Sequence, residues 1–232
     1  MLDVTGGIAL TALFAVGCGV LIAWNPVGTA ARVRLAIVAL LWFTSVAAAA
    51  AAGVFSAESA GTPAIAAALL APLLGSLWAV RGSATVRALA LGMPLSLLVA
   101  LHAGRMFGFF FLLLFAAGRL PATFALTAGW GDIVVAAAAL PVAWSIHRHA
   151  TGSRTLIRIW NLVGFVDLVT AVALGVASAP GAMGRLPWVL VPAVMVPLYL
   201  LLHMAIFTRL AGPGARMSDG LHGIEPPVPS VT

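Results

Sequence analysis

Long apolar runs, broken at regular intervals by short stretches rich in polar residues, glycine and proline, make up most of this chain. Seven runs qualify as helices: 5–24, 33–55, 63–80, 88–117, 124–145, 157–178 and 187–208. At 1.5 Å per residue each covers a hydrocarbon core of roughly 30 Å, the third only just. The separators include "NPVGTAARVR", "AESAGTP" and "ASAPGAMGRLP". The pattern predicts an all-α fold, a polytopic transmembrane bundle of seven spans. Pro94 falls early in the long fourth run and predicts a kink or a short interfacial start there. The first run, within "MLDVTGGIALTALFAVGCGVLIAW", lacks a positive leading segment, because Asp3 is acidic. It reads as a retained helix rather than a cleaved signal peptide.

The arginines give the bundle a direction. Arg32, Arg34, Arg81, Arg87, Arg148, Arg154 and Arg158 fall in the connections after runs one, three and five, and Arg209 and Arg216 follow run seven. Arg119 and Arg185 are the arginines of the opposite side. The positive-inside rule then places the amino terminus outside and the carboxyl terminus in the cytoplasm of a bacterial inner membrane. Trp24, Trp78, Trp144 and Trp188 fall near run ends, where interfacial anchors belong. The expected organisation is a membrane domain over 1–210 and a proline-bearing, disordered cytoplasmic tail over 211–232.

Composition narrows the class. The chain has 232 residues, 62% hydrophobic and 8% charged, against roughly 25% charged in soluble domains. The net charge of +6 is spread singly or in pairs along run ends, so no nucleic-acid surface is implied and the lipid bilayer is the expected partner. The sequence contains no lysine, which excludes a Schiff base to retinal or pyridoxal phosphate. Cys18 is the single cysteine. The run "VAAAAAAG" at 46–53, with Gly17 and Gly19, offers small faces for close helix packing.

Few strongly polar side chains remain inside the runs: His102, Arg105, Asp132, Asn161, Asp167 and His203. A charge at such depth costs at least ~2.5 kcal/mol, so these groups should face the bundle and pair. Counting from each run's outer end puts Arg105 at ~18 Å, Asp167 at ~17 Å and Asp132 at ~12 Å. His102, Asn161 and His203 fall deeper, at ~22–25 Å. The expectation is an ion cluster of Arg105 between Asp132 and Asp167, with a second tier on its cytoplasmic side.

That cluster has two meanings. One cation and two carboxylates can simply lock helices in register, as in a structural or partner-scaffolding membrane protein. Yet one arginine does not neutralise two aspartates, so the second carboxyl needs a proton or another donor. A site of that kind binds or translocates a small ligand or a proton, with Arg105 facing an anion or a carboxylate and His102, one turn away, relaying. A third reading makes His102 and His203 axial ligands of a b-type haem, with Gly104 and Gly108 giving it room. The "HRH" at 147–149 reads as a solvated basic loop. No zinc-protease helix motif, P-loop or nucleophile elbow is found, so nothing argues for an enzyme. Pro192 and Pro197 should kink the last helix near Tyr199, the single tyrosine.

The stretches "RMFGFFFLLLFAAGRLPATFALTAGWGD" and "RIWNLVGFVDLVTAVALG" carry Arg105, Gly108, Phe111, Leu120, Pro121, Gly129 and Asp132, then Trp160, Asn161, Gly164 and Asp167. With the closing "VPLYLLLH", they resemble a group of small bacterial multi-pass membrane proteins of unassigned function. The likeness runs from Pro94 to His203, about half of the chain. It implies that the Arg–Asp–Asp–His set belongs to a shared architecture and brings no activity with it. Seven spans also suggest rhodopsins, an analogy of topology that fails without a lysine in the last helix. No inverted repeat relates runs one to three with five to seven.

Overall fold

The computed structural model describes residues 1–179 and 181–212, so nearly all of the expected disordered tail, 213–232, lies outside the described residues. Seven helices are long and apolar enough to cross a membrane. Three are continuous and come first: α1 (Leu2–Ala23), α2 (Thr29–Ala51) and α3 (Gly61–Gly82). A short α4 (Ala84–Leu91) precedes the fourth span, Leu95–Ala116, which is built from α5 (Leu95–Ala100), a 3₁₀ segment Leu101–Gly108 and α6 (Phe109–Ala116). α7 (Ala122–His147) and α8 (Ser153–Ser178) are continuous. The seventh span, Val191–Ala211, opens with a π turn at Val191–Met195 and continues as α9 (Val196–Ala211).

Local chemistry sets the helix limits. The second helix stops at Ala51 rather than at 55, because Gly53 adopts φ 77° and closes a Schellman cap. In that cap the Gly53 and Val54 amides donate to the Ala50 and Ala49 carbonyls, each at 3.0 Å. The expected run 88–117 is two helices. Pro94 disfavours helical backbone at Met93, so α4 ends at Leu91 and the span restarts behind Pro94.

The core lies among the later spans. In the most apolar stretch of the seventh, 61% of residues are buried, against 11%, 6% and 11% in the first three. α1 to α3 are therefore peripheral, and their exposed Ile8, Ile37, Leu41 and Leu74 form an apolar outer wall. Gly17 and Gly19 have nothing within 4 Å of an added β-carbon, so they do not form the close-packed face expected of them. Close approaches occur instead at Gly6 of α1, where an added β-carbon would lie 2.6 Å from the Trp188 ring, and among spans four to seven.

Hydrogen bonds tie the elements at both ends. At one end the Asp3 carboxylate accepts from Arg119 at 2.8 Å and from the Trp188 indole at 2.6 Å. Trp188 is thus 2% exposed and not an interfacial anchor, whereas Trp24, Trp78 and Trp144 are exposed. At the other end Asn25 donates to the Leu89 carbonyl at 2.9 Å, Arg154 donates to Leu210 at 3.1 Å, and Arg209 donates to Met93. The element order puts Arg32, Arg34, Arg81, Arg87, Arg148, Arg154, Arg158 and Arg209 toward this second end.

The prolines of the seventh span have a specific consequence. Pro197 has no N–H to give the carbonyl four residues before it, that of Ala193. The Trp42 indole on α2 donates to that carbonyl at 3.0 Å. A peripheral helix thereby supplies a donor that the proline removed.

Candidate functional site

The 3₁₀ segment explains how one helix presents its polar pair inward. At three residues per turn, side chains at i and i+3 eclipse. His102, Arg105 and Gly108 therefore form one row, and all three are buried. A mid-span 3₁₀ run of eight residues is longer than such runs usually are. On α8, Asn161, Gly164 and Asp167 recur at every third residue and share a face. Asp132 comes from α7 and His203 from α9.

These elements bring all six polar residues into one connected group. The Arg105 guanidinium is 1% exposed and lies between two carboxylates, each 15% exposed. Its Nε donates to Asp132 Oδ1 at 2.6 Å, and its Nη2 donates to Asp167 Oδ2. Nη1 donates to the Gly164 carbonyl at 2.9 Å and lies 3.4 Å from His203 Nε2. Four of the five guanidinium N–H groups are thus directed at groups inside the bundle. His203 Nδ1 lies 2.8 Å from Asn161 Oδ1, and Asn161 Nδ2 donates to the His203 carbonyl at 3.2 Å. Arginine has no acceptor, so His203 Nε2 accepts and the proton sits on Nδ1, donating to Asn161.

His102 forms the far side of this group. Its Nδ1 is 3.0 Å from the Leu98 carbonyl, and its Nε2 has no hydrogen-bond partner among the described residues. Its ring packs edge-on to Trp160 at 5.1 Å and against Tyr199 at 5.4 Å and His203 at 4.2 Å, measured between centroids. That last spacing does not fit haem. Two axial imidazoles of one iron face each other across the macrocycle, and rings 4.2 Å apart leave no thickness for metal and porphyrin.

Glycines make the approach possible. A β-carbon on Gly164 would lie 2.7 Å from His203 Cε1, and one on Gly108 would lie 2.5 Å from Asp132 Cβ. A β-carbon on Gly131 would lie 2.6 Å from Asp167 Cγ. Sequence reasoning passed over Gly131, the Gly164 carbonyl and the ring contacts of Trp160. The spacing of Gly164 between Asn161 and Asp167 on one α8 face was the available signal.

One cavity adjoins the cluster and a second lies next to it. One of about 30 Å³ is lined by Arg105, Asp132, Gly104, Leu13 and Tyr199 among others, and is large enough for roughly one or two waters. The other, about 170 Å³, is an apolar crevice between α1, the fourth span and the seventh. Leu13, Gly104, Met195 and Tyr199 line both.

No curated protein and no solved structure matches the chain. A family defined as a domain of unknown function, DUF8737, matches residues 62–211 and so takes in every residue of the polar group. The chain belongs to the DUF8737 family.

Proposed function

We propose that this chain is a multi-pass protein of the bacterial cytoplasmic membrane whose Arg105–Asp132–Asp167 cluster binds or passes a proton or another small cation. The arginine count supports an amino terminus outside and a carboxyl terminus in the cytoplasm. The observation that carries the functional reading is the charge balance: one buried guanidinium serves two carboxylates of equal exposure. With both ionised the cluster holds one negative charge in excess, and an apolar surrounding makes that state costly unless a cation joins it. His203, Asn161 and His102 continue the polar group, and Asp132 and Arg105 line a cavity of about 30 Å³ with room for roughly one or two waters. Arg105 is a positioning cation here rather than a receptor for an external anion, because four of its five donors are already committed.

Infrared spectroscopy of the purified protein in lipid tests the protonation, and a pH-sensitive dye inside proteoliposomes tests the flux. The expected result is a protonated-carboxyl band that disappears in Asp132→Asn or Asp167→Asn, together with loss of dye response. Orientation is checked separately with an impermeant thiol reagent in a Cys18→Ala background. Glu58→Cys should label in intact cells and His149→Cys only after permeabilisation.

A structural reading competes for one specific reason: four of five Arg105 donors end inside the bundle, as a helix fastener would require. In that case no flux appears whether or not a protonated band is seen, and the aspartate variants lose only stability.

A further inference from the structure

The apolar crevice lies next to the small cavity that Arg105 and Asp132 line. Its walls are Leu13, Gly17 and Leu21 of α1, Leu101 of the 3₁₀ segment, and Leu198 and Leu202 of α9. At its rim Val16 is 63% exposed on the apolar outer wall of the bundle. Gly17 lines the crevice and has open space where a side chain would stand. At its inner end Gly104 allows the Tyr199 hydroxyl to stand close to the 3₁₀ backbone. Beyond that hydroxyl lies the small cavity with Asp132 and Arg105 in its lining. The two cavities share Leu13, Gly104, Met195 and Tyr199, so the crevice and the carboxylate-lined cavity adjoin at one phenol.

From this arrangement we infer that the crevice and the cluster form one binding site for an amphiphilic amine, whose short apolar chain fills the crevice and whose ammonium head reaches Asp132. The inference deepens the cation reading above by naming the ligand class, and it rests on that reading. Three features select the class. The crevice at about 170 Å³ exceeds the engineered cavity that takes up benzene, so it suits a short hydrocarbon and not a bulky ring system. Its lining offers a single polar group, Tyr199, so the ligand's polar atoms must lie past it. The group waiting there carries two carboxylates against one guanidinium with four of its five donors committed, so it complements a cation and repels a carboxylate head.

The test uses the full chain in nanodiscs of neutral lipid and a medium-chain alkylamine carrying a diazirine. After photolysis, mass spectrometry should map saturable labelling to the α1 stretch containing Leu13 and Gly17. Unlabelled alkylamine should compete, and an alkyl carboxylate of equal length should compete about tenfold less well, as loss of a charge-assisted contact implies. Gly17→Phe, which fills the crevice without touching the cluster, should abolish labelling and leave the carboxyl infrared band unchanged. Asp132→Asn should keep the α1 labelling and lose the preference for amine over carboxylate. Labelling that is unsaturable, absent from α1, or indifferent to Gly17→Phe would overturn the inference, as would equal competition by amine and carboxylate. Failure here with an intact protonated-carboxyl band and dye response leaves the proton reading standing. Selective amine capture without that band or flux removes the proton route and keeps the amine site.

Discussion

Gly131 of α7 stands directly against the side chain of Asp167 on α8, so close that a β-carbon there would lie 2.6 Å from the carboxyl carbon. The contact sets how near the two helices come and holds the carboxylate against Arg105. Gly131→Ala should displace Asp167 and cost about 1–3 kcal/mol, the usual range for overpacking. Thermal unfolding in detergent should show a lowered midpoint, and Asp167→Gly in the same chain should recover part of it.

Arg105 cannot be removed alone. Arg105→Gln leaves two carboxylates without their cation, and breaking a buried pair in this way costs about 3–5 kcal/mol. Adding Asp132→Asn and Asp167→Asn removes the uncompensated charges and should restore most of the folded yield. Fluorescence-detected size exclusion of the single, double and triple variants measures the order. A triple variant no better than Arg105→Gln would contradict the charge account.

His203 should carry its proton on Nδ1. The Arg105 Nη1 lies 3.4 Å from Nε2 and has no lone pair to offer, while Asn161 Oδ1 accepts at 2.8 Å on the other side. Solid-state nitrogen NMR of histidine-labelled protein distinguishes the tautomers directly. In Asn161→Leu that preference should weaken, because the acceptor that selects it is gone.

Trp42 supplies the hydrogen bond that Pro197 denies to Ala193. Trp42→Phe keeps most of the ring and loses the N–H, so it should cost about 1 kcal/mol. Pro197→Ala provides a main-chain donor for the same carbonyl, and in that background the cost of Trp42→Phe should shrink. A double-mutant cycle on detergent stability reads the difference.

The surface pair of Arg119 and Asp3 gives a contrast. Both side chains are largely exposed, at 43% and 52%, so the ion pair itself contributes at most ~1 kcal/mol. Arg119→Ala should leave the thermal midpoint nearly unchanged, where Arg105→Gln lowers it strongly.

By itself the sequence determined the seven apolar helices, their approximate limits and the short list of polar residues inside them. Those follow from composition and length alone, because each run declares its own solvent preference. It also made the pairing of Arg105 with Asp132 and Asp167 foreseeable, since an isolated charge at that depth is costly and these were the available partners. The tertiary structure decided what a one-dimensional count does not hold. Depth along an axis says nothing of rotation about it, and the 3₁₀ segment stacks His102, Arg105 and Gly108 in one eclipsed row where an ideal α-helix would stagger them. The small size of Gly17 and Gly19 suggested a packing face, although small size permits contact without creating it; the neighbouring helices approach at Gly108, Gly131 and Gly164 instead. The haem geometry, the carbonyl of Gly164 and the crevice beside Tyr199 all depend on distances between helices that are remote in sequence. Such distances are set by the fit of one side chain against another, and that fit exists only once the chain has folded.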